Sequence, residues 1–460
     1  MPKIPVACPH DAIQLEPSAY AKEAGYNWPG PDRRLAATTK SGRNPLATRG
    51  QDANVLEKLS QDAADLLSDV FPGPLVLPED ELACNPKYPP QSFRSWNHED
   101  LRKGRKPNKK RQTLYVAAAP GVESSVSFMK EWVHPGVGKG GRLSASQRLE
   151  PPGVDDIIKY TEAFYHGMVV KKFPQRLKFV PWTELKKPAS QSGDTKFVGL
   201  QVGNNCTRIR VRPSPDGMFK GQLNLSDLLD VTIEIVPDDA YSIILLVDHD
   251  MYEDEEDDFC CGRAYGSDRV AVVTTARYHP ALDNHAEIDL AHMWPASHCK
   301  AYIDDACAAE GLQWGTSAGK ATQTSSGPLW QALQAARSVE RPLTPEIRRL
   351  IWFSKIARTV VHELGHCLGL DHCVYYACVM QGSSRMAEDV RQPPYLCPVC
   401  LSKISHAVAY ELQARGEAGK EEYVKERYRA LVTACESWKG IGLFAGYIAW
   451  LRARLEKLES

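Results

Sequence analysis

His362, Glu363, His366, Gly369 and His372 are spaced as H-E-x-x-H-x-x-G-x-x-H within eleven residues. On a helix, residues four apart share a face, so His362 and His366 can offer imidazole nitrogens to one ion at about 2.0–2.1 Å each. Gly369 lacks a Cβ and can take the left-handed conformation that turns the chain out of the helix. The turn brings His372 round as a third ligand. Three protein ligands leave a tetrahedral zinc one open position for a water, whose pKa such a site lowers to about 7. Glu363, beside the first ligand, is placed to take that water's proton as general base and to return it as general acid. The expected chemistry is attack of an activated water on a polarised carbonyl. Scattered core or surface histidines on an ordinary helix would be the bland alternative, and the five specified positions weigh against it.

The elements needed to position these groups are legible around them. Thr344, Pro345 and Glu346 supply an N-cap, a proline at the first helical position and an early acid. Ile347, Leu350, Ile351, Ala357, Val360, Val361, Leu364 and Leu368 then recur at helical spacing as a buried stripe. Lys355, Thr359, His362 and His366 fall on another face, expected to look into a cleft. Directly after His372 come Cys373, Cys378, Met380, Cys397 and Cys400, the last two framing Pro398 and Val399. Four thiolates so spaced suit a closed tetrahedral zinc with Zn–S near about 2.3 Å and no open position, a structural site. Four ordinary buried cysteines are the alternative.

The run H-E-x-x-H-x-x-G-x-x-H-C-x4-C-x-M followed by C-x-x-C resembles the archaemetzincins (archaelysins), metzincin-type zinc metallopeptidases with a second, four-cysteine zinc. The resemblance is close from Ile351 to Lys403 and looser upstream, from about Pro89. It implies His362, His366 and His372 as ligands of a catalytic zinc, Glu363 as general base and acid, and Cys373, Cys378, Cys397 and Cys400 as ligands of a structural zinc. It also implies Met380 as the residue of the turn beneath the metal, where the residues alone would read as a core methionine. Two zinc ions per chain are therefore expected, with a peptide or protein as substrate. Some metzincins place a tyrosine two residues after that methionine. Here the position is Gly382, so no such donor carries over.

The chain has 460 residues, 43% of them hydrophobic, enough for one sizeable catalytic core with extensions. A formal net charge of −1 argues against a dedicated nucleic-acid binder, and no nucleic-acid partner is expected. No apolar run reaches the roughly 20 residues of a membrane span; Ile441 to Leu451 is the longest, at about half that. The start lacks a basic-then-apolar signal pattern. Thirteen cysteines and a thiolate site that competes with oxidation point to a reducing, intracellular and cytoplasmic setting. The basic run Arg102–Arg111 reads as a solvated linker, with a nuclear address or a phosphate-binding patch as the alternatives.

The expected fold class is α/β (α+β): a metzincin-like, mostly parallel twisted sheet with an active-site helix, a four-cysteine zinc knuckle and C-terminal helices. Residues 1–112 read as a poorly ordered N-terminal extension with one helix at Asn54–Asp69. Residues 113–410 read as the catalytic domain, with an insertion at about 282–342 over the surface near the cleft and the knuckle at 373–400. Residues 411–460 read as helices packed on that domain. Strands are expected at Leu114–Ala117, Leu177–Trp182, Thr207–Arg212, Ile243–Asp248 and Arg269–Arg277, and helices at Asp155–Lys171 and Asn224–Ile235. By resemblance, Arg269–Arg277 should lie near the cleft edge, where an extended peptide can add as a further strand. The acidic run Glu253–Asp258 lacks the glycine and alternation of a calcium loop and reads as solvated. His279, His285, His292 and His298 are given no role. Whether the chain is an aminopeptidase or an endopeptidase stays open. A catalytically silent, zinc-stapled interaction protein is the rival reading, against which Glu363 weighs, since a purely structural zinc needs no base.

Overall fold

The computed structural model describes residues 10–45, 70–99, 102, 106–137, 143–144, 147–182, 196–311, 323–339 and 342–460. The expected helix at 54–69 and residues 312–322 of the expected insertion lie outside them. The chain forms two compact units: 107–285 with 343–368, and 1–106 with 286–342 and 369–460.

The first unit is built on a five-stranded sheet in the order Gly262–Tyr265, Val270–Thr274, Ala240–Val247, Thr113–Ala117, Val169–Lys172. Only the Gly262–Tyr265 pairing is antiparallel. Ala240–Val247 is buried at every position, as a central strand covered on both faces must be, and its near-continuous apolar run is the sequence signature of that burial. Val169–Lys172 forms the opposite edge, and its two exposed lysines keep that edge from pairing further. The helix expected at Asp155–Lys171 stops at Phe164, and the chain turns into this edge strand.

Leu177–Val180 and Asn205–Arg212, expected in the same parallel sheet, belong instead to a second, six-stranded sheet that is mostly antiparallel. The deciding local feature is a hairpin between Phe197–Val202 and Asn205–Arg212, closed by Gly203 and Asn204 with Gly203 at φ +58°. A two-residue turn with positive φ matches the twist of antiparallel strands, and it fixes this pairing locally. Val270–Thr274 is not at the edge as expected. It is an interior strand, because Gly262–Tyr265 pairs along its free side.

The second unit draws together segments from both ends of the chain. Residues 10–45 and 70–99 are packed rather than loosely ordered, with Phe71, Phe93 and Trp96 at most 1% exposed. Nor is the 282–342 insertion only a surface loop. Its Gly327–Arg337 helix lies against the C-terminal helix Gly442–Glu459, where a Cβ on Gly446 would stand 3.0 Å from the Ala332 carbonyl oxygen. Trp450 donates to the Val70 carbonyl at 3.3 Å and stacks on Tyr395 at 4.4 Å. The C-terminal helices thus share a core with the N-terminal segment and the insertion, segments far apart in sequence whose scattered aromatics have no common periodicity. Two residues of the basic run are tied down: Arg102, 3.5 Å from the Trp96 ring, and Lys106 both pair with Glu411, whose side chain is 7% exposed.

Candidate metal centres

The long helix runs Pro345–Cys367, and Thr344 caps it by accepting from the Ile347 amide at 3.3 Å. Tyr165 donates to the Val361 carbonyl at 2.5 Å and Tyr241 to the Cys367 carbonyl at 3.2 Å, fixing its last turns. Upstream of His362 the histidine face is not open as expected. Lys355 is fully buried with Asp283 at 2.5 Å, and Thr359 meets the Tyr278 hydroxyl at 2.7 Å. The segment after Val270–Thr274 folds over that face and covers it.

Beyond that point His362, His366 and His372 are half-buried, and one nitrogen of each lies within 4.8 Å of the others. His362 Nε2 and His366 Nε2 are 3.0 Å apart. An ion at about 2.05 Å from each in a tetrahedron would hold two such nitrogens about 3.3 Å apart, so the donor set fits. Gly369 has φ +78°, the left-handed turn read from its position.

Glu363 is 7% exposed. Burial pushes its pKa up to about 8, against the pull of Arg263 and with a small push from Glu253. A Cβ on Gly262 would stand 3.2 Å from Glu363 Oε1, and one on Gly266 would stand 2.8 Å from the His366 carbonyl oxygen. Gly262 in the edge strand and Gly266 just after it let this segment run close to the helix, where a side chain would meet the Glu363 carboxylate or the His366 backbone. Sequence reasoning missed both, and nothing short of the strand's register marks them.

Cys373, Cys378, Cys397 and Cys400 are buried, with all four sulfurs within 4.8 Å of one another. Cys373 and Cys397 sulfurs are 3.5 Å apart, near the roughly 3.8 Å that a tetrahedral ion with 2.3 Å bonds would set. Backbone amides of Met380 and Cys397 donate to the Cys378 sulfur at 3.5 and 3.3 Å. Hydrogen bonds from the other thiols hold the Cys373 pKa well below its usual range. Met380 is fully buried, and its carbonyl accepts from the Cys373 amide at 2.7 Å. The N-terminal segment closes the knuckle: Tyr26 and Trp28 each donate at 2.6 Å to the Val374 and Tyr375 carbonyls.

Among the described residues these are the two clusters able to hold a metal. The 253–258 run instead folds on itself. Asp257 accepts from the Glu253 and Asp254 amides, and Arg212 donates to the Asp254 and Glu255 carbonyls. His279 and His298 are buried and kept neutral, their pKa values pushed down to about 4 and about 3 by burial.

Residues 339–406, which include every residue of both clusters, match the model of peptidase family M54. Human archaemetzincin-2 is 24% identical over 399 residues, 86% of this chain and 83% of that protein. The chain is similar to the archaemetzincins. Mouse archaemetzincin-2 is 40% identical over 88 residues, 19% of this chain and 21% of that one. The solved archaemetzincin of Methanopyrus kandleri is 17% identical, aligning 66% of this chain and 98% of its own with a TM-score of 0.32. No helix among the described residues is long and apolar enough to cross a membrane.

Proposed function

We propose that this protein is a zinc-dependent peptidase of the archaemetzincin kind, whose catalytic zinc is held by His362, His366 and His372 and whose proton carrier is Glu363. The observation that carries the reading is the convergence of three imidazoles beside a buried carboxyl whose pKa stays raised despite the pull of Arg263. When bound, zinc supplies a Lewis acid that acidifies water and polarises a carbonyl. The Glu363 carboxylate takes the proton of the attacking water and hands it to the leaving amine. Gly262–Tyr265 is the outer strand of its sheet, so its outward main-chain groups suit an extended peptide laid alongside, taking over the part expected of Arg269–Arg277. Cys373, Cys378, Cys397 and Cys400 would hold a second, structural zinc, and four reactive thiols at one site suit a reducing compartment.

The test is Glu363→Ala, which removes the proton carrier and no ligand. Cleavage of a mixed peptide library should fall by roughly 10²–10⁴-fold, with metal content and melting temperature unchanged. Undiminished cleavage would overturn the mechanism, and the cleavage profile of the parent enzyme separates aminopeptidase from endopeptidase action.

A further inference from the structure

His362 and His366 are aimed by the helix that carries them. His372 is not: it follows the Gly369 turn, and the regular backbone that fixes its partners has ended by then. A ligand outside a regular element needs neighbours to set its direction, and such neighbours typically alter metal affinity by about 10–100-fold. We infer that Tyr88 is a positioning residue for His372, acting through Asp371 and through the face of its own ring. The inference rests on the proposed role of His372 as a metal ligand.

The Tyr88 hydroxyl donates to Asp371 Oδ1 at 2.6 Å, and the same oxygen accepts from the His372 amide at 2.9 Å. One carboxylate oxygen therefore ties the tyrosine to the backbone of the ligand. The turn is pinned again on either side of that oxygen. Gln91 Oε1 accepts from the Asp371 amide at 3.0 Å, while its Nε2 donates to the Gly369 carbonyl at 3.0 Å. Lys403, 1% exposed, holds Gln91 by donating to its side-chain and main-chain oxygens, both at 2.7 Å. The Tyr88 ring lies 5.6 Å from the imidazole, tilted by 38°. At the imidazole's Nδ1, Gly382 leaves room that a Cβ, 2.8 Å away, would fill. Tyr88 and Gln91 lie outside the 339–406 segment that matches the family model, which makes the N-terminal segment part of the metal site.

The experiment measures Co²⁺ affinity by chelator competition, and the visible d–d spectrum of the bound ion, in full-length protein whose four-cysteine site retains zinc. Tyr88→Phe keeps the ring and removes the hydroxyl; Tyr88→Ala removes both. Affinity should fall about tenfold in the first and up to about 100-fold in the second, with a shifted d–d band in each. Asp371→Asn retains an acceptor oxygen and should stay near wild type, whereas Asp371→Ala should match Tyr88→Phe. Retention of the zinc at the cysteines reports that each variant is folded. Wild-type affinity and an unchanged spectrum in both Tyr88 variants would overturn the inference while leaving His372 a ligand. Co²⁺ binding that is indifferent to His362→Ala in the parent protein would overturn the ligand reading, and the inference with it.

Discussion

Gly382 shows how much chemistry can depend on an absent side chain. Its Cα faces His372 so closely that a methyl group would lie 2.8 Å from Nδ1 and 3.1 Å from Cε1, with Glu81 3.1 Å away on the same side. Contacts under about 3 Å between such atoms are repulsive, and a packed interior yields little. The imidazole, at the end of a rotatable side chain, is the group that must move. Gly382→Ala should therefore weaken metal binding at the three histidines by about 10- to 100-fold while leaving the four-cysteine site loaded. Chelator competition against each site in one sample reads both outcomes. Equal affinity in variant and parent would mean that the turn, not the ring, absorbs the methyl group.

At the scale of elements, the knuckle and the third histidine are joined by one peptide bond, because Cys373 directly follows His372. The Cys373 amide is bonded to the Met380 carbonyl and its sulfur faces Cys397 at 3.5 Å, so whatever fixes the knuckle also fixes where the third histidine's chain begins. Cys400→Ser leaves at best three thiolates in a buried site. Structural zinc contributes folding free energy outright, so the melting temperature should fall. Zinc affinity at His362, His366 and His372 should fall with it, by about 10-fold or more, when measured where both proteins remain folded. Unchanged affinity at the histidines would show that the two centres are neighbours in sequence without coupling.

For the whole molecule, the two ligand sets predict two zinc ions per chain with different lability. The half-buried imidazole cluster should lose metal to a mild chelator in minutes to hours, and the buried thiol cluster should keep it until the protein unfolds. Elemental analysis before and after chelation should give two and then one. His362→Ala should give one from the start. Two zincs retained after chelation would remove the distinction between an open and a closed site.

What the sequence determined by itself is the chemistry of the centre and the local geometry that serves it. H-E-x-x-H sets two imidazoles on one helical face, Gly369 allows the left-handed turn that other residues resist, and close cysteine pairs leave a metal as the natural partner. Thr344 and Pro345 mark the helix start because capping is satisfied within a few residues. These are short-range constraints, and short-range constraints can be read in order along the chain. The apolar run Ala240–Val247 likewise announces a buried central strand.

Only the tertiary structure decided which surfaces stay open and which segments pack together. Thr359 and Lys355 share a helical face with the histidines, yet Tyr278 and Asp283 cover them and leave the histidines alone half-buried. Periodicity defines a face but not what lies over it. Gly262–Tyr265 takes the sheet edge because its antiparallel register shields Val270–Thr274, and register depends on contacts that no single strand encodes. Tyr88, Gln91 and Lys403 converge on the turn before His372 from positions 280 or more residues upstream and about 30 downstream. Their side chains carry no motif, since hydrogen bonding across such separations is set by where the folded chain returns, and that return is a property of the whole core.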